Sequence, residues 1–157
     1  MMMAVAFLVG ILLSGAVADW LVRRGIGLLS VMLGFIVLYL LAQLAIVLEW
    51  TALDLPMWII FGMTGQVAVL AYPWLSSYFG AAASGRATTA INLVLFLFAF
   101  GAQYAIGAII DLFPPTPGGG YDPRGYQVGF AVFLAAQLLA LVCYLLGRRA
   151  LLAAARR

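Results

Sequence analysis

The chain has 157 residues, of which 67% are hydrophobic and 8% charged, and its formal net charge of +3 comes from arginines without any lysine. So apolar a composition excludes a water-soluble globular fold. The arginines lie between apolar runs and not on solvated faces with interleaved aromatic residues, so the positive charge does not indicate a nucleic-acid partner.

Five apolar runs are long enough to cross a bilayer, for which about 20 apolar residues suffice. They predict an all-α, polytopic membrane protein with five transmembrane helices. The predicted spans cover residues 3–18, 27–48, 57–79, 88–112 and 128–147.

Small residues recur every four positions along the first run, at Gly10, Ser14 and Ala18. Membrane helices approach each other closely where such residues share a face. We therefore expect this stripe to be a helix-packing surface with no catalytic meaning.

Gln66 and Pro73 lie seven residues apart in the third run, a spacing that places both on one face of a continuous helix. A proline removes one backbone hydrogen bond and bends a helix. The bend fits either a static kink or a working hinge.

Asn92 and Gln103 lie on one face of the fourth run, because eleven residues make almost three whole helical turns, and Phe96 falls between them. The stripe fits a cavity wall with two polar contacts and an aromatic platform for a small ligand. It fits equally an interhelical contact, since amides commonly hydrogen-bond between membrane helices. Gln43 and Gln137, in the second and fifth runs, are expected to be packing groups.

Residues 113–126 contain three prolines and three consecutive glycines, which predict a solvated loop between the last two spans. Sequence patterns of catalysis are absent, since the chain has no histidine, no cysteine pair and no paired carboxylates within one run. We expect no enzymatic activity, no cofactor and no metal site. Cys143 is expected to be a small buried hydrophobic residue.

The arginines also predict the orientation of the chain, because loops rich in arginine stay in the cytoplasm. Seven of the eight arginines fall on one side of the predicted spans: Arg23, Arg24, Arg86, Arg148, Arg149, Arg156 and Arg157. We expect an integral protein of a bacterial inner (plasma) membrane, with its carboxyl terminus in the cytoplasm.

The stretch GAVADWLVRRG, residues 15–25, resembles the cytoplasmic loop signature of the major facilitator superfamily of transporters. Gly15, Asp19, Arg23 and Arg24 match its glycine, aspartate and paired basic residues.

Two positions depart from that signature, because Trp20 stands where the family usually has a basic residue and Val22 where it usually has glycine. Further along, GRATTAIN at 85–92 and GAIID at 107–111 resemble the entry and exit of the family's penultimate helix.

This resemblance implies that residues 1–157 are the carboxyl-terminal transmembrane domain of a transporter, helices eight to twelve, without that domain's first helix. The function implied is part of a secondary active transporter that moves a small solute across the inner membrane by alternating access. Its partners would be the lipid bilayer, the missing amino-terminal half and an unknown small-molecule substrate. The resemblance also makes Gln66, Asn92, Phe96 and Gln103 candidates for the substrate pathway.

Asp19 lies at the carboxyl end of its predicted helix, where the helix dipole is already negative, so it needs a positive partner. Arg23 or Arg24 can supply one locally. By the resemblance, the aspartate can also face a helix end across the interface between transporter halves, where the contact would hold one conformation. The other interpretation is a solvated loop whose arginines only set the topology.

A different class of function fits the same sequence. A complete small membrane protein, serving as a structural or assembly partner of a larger complex, would also consist of apolar spans without catalytic residues.

Overall fold

The computed structural model describes residues 2–154, within which the chain forms six α-helices and no strand. The helices are α1 (Met2–Arg23), α2 (Leu28–Val47), α3 (Asp54–Thr64), α4 (Ala71–Phe79), α5 (Ala81–Ile110) and α6 (Pro123–Ala154). Because α3 and α4 follow each other in one span, the protein has five helical spans long and apolar enough to cross a membrane. The predicted fold class is confirmed.

The observed spans overlap the five predicted ones, but the end of the first span and the starts of the third, fourth and fifth lie five or six residues from the predicted positions. The observed spans are Ala4–Arg23, Leu28–Val47, Thr51–Phe79, Ala82–Ile110 and Pro123–Arg148. The first continues past residue 18 and the fourth begins before residue 88, because polar residues at the end of a membrane helix remain helical where water and headgroups solvate them. Arg156 and Arg157 lie outside the described residues.

Spans that are neighbours in sequence run antiparallel, so the turns between them collect at two ends of the bundle. The arginine-rich end holds the turn after α1 and the junction between α4 and α5, with Arg23, Arg24, Arg86 and Arg148. The acidic end holds the other two connections, with Glu49, Asp54, Asp111, Asp122 and Arg124.

The third span is broken in its middle. The Gly65 N–H donates to the Phe61 carbonyl oxygen at 3.0 Å and ends α3, and a 3-10 turn, Val67–Leu70, leads into α4. Pro73 lies in the first turn of α4. In a regular helix the proline ring would collide with the carbonyl group four residues earlier. The residues before the proline therefore form an irregular stretch.

This break also changes the expected geometry of the span. Gln66 sits in the turn between two helical segments, so its seven-residue separation from Pro73 does not place the two on one helix face. The span changes its neighbours at the same point, because α3 packs on α1 and α2 whereas α4 packs on α5.

The stripe of small residues is a packing surface, as predicted: Gly10 meets α3, and Ala18 meets Val31 of α2 and Leu70 of the 3-10 turn. Gly10, Ser14 and Ala18 are all buried. A Cβ atom on Gly10 would lie 2.6 Å from the Met63 Cα, so only glycine permits this approach of the two backbones.

α1 ends in a turn built around a glycine. Gly25 has a φ of 87°, its N–H donates to the Val22 carbonyl oxygen at 2.9 Å, and the Ile26 N–H donates to the Leu21 carbonyl oxygen at 3.1 Å. This pair of bonds is the Schellman motif, in which the residue with positive φ is usually glycine.

α2 ends in the same motif without a glycine. Glu49 has a φ of 52°, its N–H donates to the Ile46 carbonyl oxygen at 3.1 Å, and the Trp50 N–H donates to the Ala45 carbonyl oxygen at 3.2 Å. A glutamate therefore occupies a left-handed position that L-residues adopt at a cost of about 1 kcal/mol.

Cys143 is exposed, contrary to the expected burial. It lies on α6, whose side away from α2 and α5 has no described helix over it. An apolar run in a membrane protein can face lipid as well as protein, so hydrophobicity does not predict which residues the bundle covers.

Candidate functional site

A hydrogen bond joins the broken third span to α5. The Tyr72 hydroxyl, in the first turn of α4, donates to the Asn92 Oδ1. The break brings Tyr72 to this position by letting α4 follow α5 while α3 remains against α1 and α2. Asn92 is thus placed at the contact between two helices, as the interhelical interpretation expects, with a tyrosine as its partner.

The other two predicted residues of α5 lie on an open surface. Phe96 is 64% exposed, and Gln103 is exposed directly before Tyr104, which is 82% exposed. No described helix covers this part of α5. The stripe from Asn92 to Gln103 therefore starts at a protein contact and continues across a surface that carries one amide and several aromatic rings.

Gln66 is partly buried at the break and is separated from the α5 stripe. Its backbone carbonyl oxygen accepts a 3.0 Å bond from the Val69 N–H, which closes the first residues of the 3-10 turn. The four candidate residues thus divide into Gln66 in the break, Asn92 at the α4–α5 contact, and Phe96 and Gln103 on the open surface.

An open groove of about 740 Å³ separates the middle of α5 from α6. Its walls are almost entirely apolar, and Gln137 supplies the amide among them. The lining residues are Leu97, Phe98, Gly101, Ala102, Phe133, Ala136, Gln137 and Ala140.

Three glutamine side chains and one tyrosine lie between α2 and α6. We term this set the polar ladder: Tyr39, Gln43, Gln127 and Gln137. Gln43 Nε2 donates to the Phe130 carbonyl oxygen at 3.0 Å, and Gln127 Nε2 donates to the Val47 carbonyl oxygen at 2.9 Å.

The third contact of the ladder pairs the side chains of Gln137 and Tyr39, and Gln137 Oε1 is buried without a hydrogen-bond partner in the described part of the chain. Gln43 and Gln137 are thus packing groups, as expected from the sequence. The sequence analysis missed Gln127 and Tyr39. The spacing of Gln127, Phe130 and Gln137 by three and seven residues was the helical signal that pointed to one shared face.

Aromatic rings fill the space beside the ladder where α3 enters. Phe61 stacks on Tyr39 with ring centroids 4.7 Å apart, and it lies 5.9 Å from Trp58 and 5.8 Å from Phe130. The α2–α3–α6 contact is consequently filled by side chains, whereas the α5 side of the bundle is open.

Gly15, Asp19 and Arg23, expected in a loop motif, belong to α1, where Asp19 is exposed and forms no ion pair with any described residue. Arg24 instead lies over the Trp20 ring, 3.8 Å from its centroid. Gly15 has open space where a Cβ would be. The aspartate is therefore available to a partner outside the described chain, and Arg24, one of the two arginines that could neutralise it, makes a cation–π contact.

Over residues 2–154, no three acidic, cysteine or histidine side chains lie close enough together to hold a metal ion. Compared with protein-family models, curated proteins and solved structures, the chain gives no match.

Proposed function

We propose that this chain is part of a secondary active transporter that moves a small solute across the inner membrane by alternating access, with the arginine-rich end in the cytoplasm. The observation that carries the proposal is the pairing of a broken span with an open polar and aromatic surface. Tyr72 follows the break, and its partner Asn92 begins the exposed stripe of α5.

Discontinuous helices support this function, because transporters commonly form their binding sites where a membrane helix is interrupted near the middle of the bilayer. The break at Gly65–Leu70 lies near the centre of the span Thr51–Phe79. An interrupted backbone is tolerated at that depth where it faces protein or a wet cavity.

The uneven packing of the bundle supports an additional partner. α2 and α6 are joined by the polar ladder, whereas α5 leaves Phe96, Phe100 and Tyr104 at least 64% exposed. Gln103 shares that side with them, and an amide is costly to leave facing lipid. A further set of helices packed on this side would enclose the stripe and form the second wall of a solute pathway.

A photo-crosslinking phenylalanine at position 96 tests the proposal in the native membrane, with the same insertion at Leu139, which is 66% exposed on α6, as the matched control. We expect a polytopic protein to be captured from position 96 and lipid adducts from position 139. Membrane vesicles that contain the captured assembly should take up a solute along an ion gradient, and Gln103→Ala should reduce that uptake. Lipid adducts alone from both positions would overturn the proposal.

The alternative function, a structural or assembly protein of a larger complex, is favoured by the aromatic character of the same surface. Aromatic rings dominate the energy of many protein contacts without serving a solute. Capture from position 96 combined with uptake that is insensitive to Asn92 and Gln103 substitutions would support this alternative against the transporter.

A further inference from the structure

A pocket of about 310 Å³ lies at the acidic end, where the end of α2 meets the starts of α3 and α6. Its polar lining combines one carboxylate, one amide and two large aromatic rings. The lining residues are Ile46, Val47, Glu49, Trp58, Tyr126, Gln127 and Phe130. This pocket is separate from the α5 stripe and plays no part in the proposed solute pathway.

The electrostatics of the pocket favour a cation. Glu49 contributes a carboxylate, and the carboxyl end of α2 adds the partial negative charge of its dipole. The rings of Trp58 and Tyr126 have electron-rich faces that attract ammonium groups.

The remaining walls suit the carbon atoms of an amine. Ile46, Val47 and Phe130 are apolar, and the Gln127 side chain is held in place because its Nε2 donates to the Val47 carbonyl oxygen. That bond leaves Gln127 Oε1 as an acceptor for an ammonium N–H. The volume of about 310 Å³ accommodates a small alkylammonium group.

The backbone at Glu49 adds a second observation. The Schellman turn after α2 places this residue at a φ of 52°, where glycine would be less strained. At the equivalent position after α1 the chain does have a glycine, Gly25. A residue kept in a strained conformation is more often a functional one, and here the side chain that glycine would remove is the carboxylate of the pocket.

We propose that this pocket binds an alkylammonium group, with Glu49 as the counter-ion, Trp58 and Tyr126 as cation–π partners and Gln127 as a hydrogen-bond acceptor. Such a group is supplied either by an ethanolamine lipid headgroup at the membrane surface or by a free amine in solution.

Native mass spectrometry of the purified chain tests the lipid source, by comparing retention of phosphatidylethanolamine and phosphatidylglycerol with the same acyl chains. Calorimetric titration with methylammonium chloride, whose N–H groups can donate to Gln127 Oε1, against sodium chloride at equal ionic strength, tests the free amine. The variants are Glu49→Gly, which removes the carboxylate while relaxing the turn, and Asp111→Asn, which removes a carboxylate of the acidic end outside the pocket.

We expect the wild-type chain to prefer the ammonium-bearing probe in at least one arm, and the arm that responds identifies the source. Glu49→Gly should reduce that preference by at least about fivefold, while Asp111→Asn leaves it unchanged. Tyr126→Phe should retain binding and Tyr126→Leu should lose it. No ammonium preference in either arm, or equal losses in Glu49→Gly and Asp111→Asn, would overturn the proposal.

Discussion

Gln43 Nε2 donates to the Phe130 carbonyl oxygen at 3.0 Å, which joins two helices whose contacting residues lie 87 positions apart in sequence. Gln43 is 2% exposed, and its Oε1 is buried without a hydrogen-bond partner. The Gln43 side chain therefore has one satisfied donor and one buried acceptor without a partner. The effect of a substitution on stability depends on whether the new side chain keeps the volume of glutamine.

Gln43→Ala should lower the free energy of unfolding by about 1 to 3 kcal/mol, because it removes the hydrogen bond and leaves a cavity between α2 and α6. Gln43→Leu should stay within about 1 kcal/mol of the wild type, since it keeps the volume and eliminates the orphaned Oε1. The Phe130 carbonyl stays satisfied inside α6 by its intrahelical bond. Unfolding in mixed micelles, followed by helicity, measures both. A leucine variant as unstable as the alanine variant would contradict this account.

Gly10→Ala should destabilise the α1–α3 contact by about 1 to 3 kcal/mol, because the added methyl group collides with the backbone at Met63. Gly15→Ala is the matched control on the same helix, where a Cβ meets nothing within 4 Å. It should be neutral or stabilising by up to about 1 kcal/mol, since alanine favours a helix over glycine. Melting temperatures of the two variants test the difference, and equal shifts would contradict the close approach.

Tyr72→Phe should loosen the break in the third span, because it leaves Asn92 Oδ1 without its donor and removes a contact worth about 1 kcal/mol between membrane helices. Faster hydrogen exchange at Val67–Leu70 is the expected readout. Tyr104→Phe removes a hydroxyl from an exposed side chain of α5 and serves as the control. Unchanged exchange in Tyr72→Phe would show that this bond does not hold the break.

At the two Schellman turns, substitutions are expected to change the free energy of unfolding in opposite directions. Glu49→Gly should raise the free energy of unfolding by about 1 kcal/mol, because glycine adopts the left-handed conformation without a Cβ collision. Gly25→Ala should lower it by about the same amount for the same reason. Thermal unfolding of both purified variants provides the measurement, and a destabilised Glu49→Gly would indicate that the carboxylate itself stabilises the fold.

If the chain is part of the proposed transporter, Asp19→Asn should slow the transport cycle more than it weakens solute binding. The exposed aspartate makes no ion pair within the described chain and is available to a partner in one conformation. Transport rate and solute affinity, measured separately, distinguish the two effects. Asp111→Asn, at the opposite end, should change neither. An altered affinity at an unchanged rate would argue against a conformational contact.

The sequence predicted the helical class, the five spans and the small-residue face of α1, because each depends on a local property: the length of an apolar run or the spacing of small residues along a helix. The break in the third span was only half predicted. Pro73 indicated a bend, but the position of the irregular turn at Val67–Leu70 depends on α3 and α4 packing against different helices.

Contacts between residues far apart in the sequence could not be predicted from one sequence alone. Asn92 was identified as a polar residue of interest, but its partner Tyr72 could be recognised only once α4 lay along α5. Arg24 was likewise one of two candidate partners for Asp19, and its contact with the Trp20 ring could be recognised only from the structure. Hydrophobicity also gave no indication that α5 would be so poorly covered.

The division of the third span has a consequence for biosynthesis. α3 has 11 residues and α4 has 9, so at 1.5 Å per residue they are about 16 and 14 Å long, and neither crosses a hydrocarbon core of about 30 Å alone. The translocon must therefore insert both segments as one unit, before α4 can contact α5. The turn between them then enters the membrane while its polar backbone groups are not yet shielded by neighbouring helices.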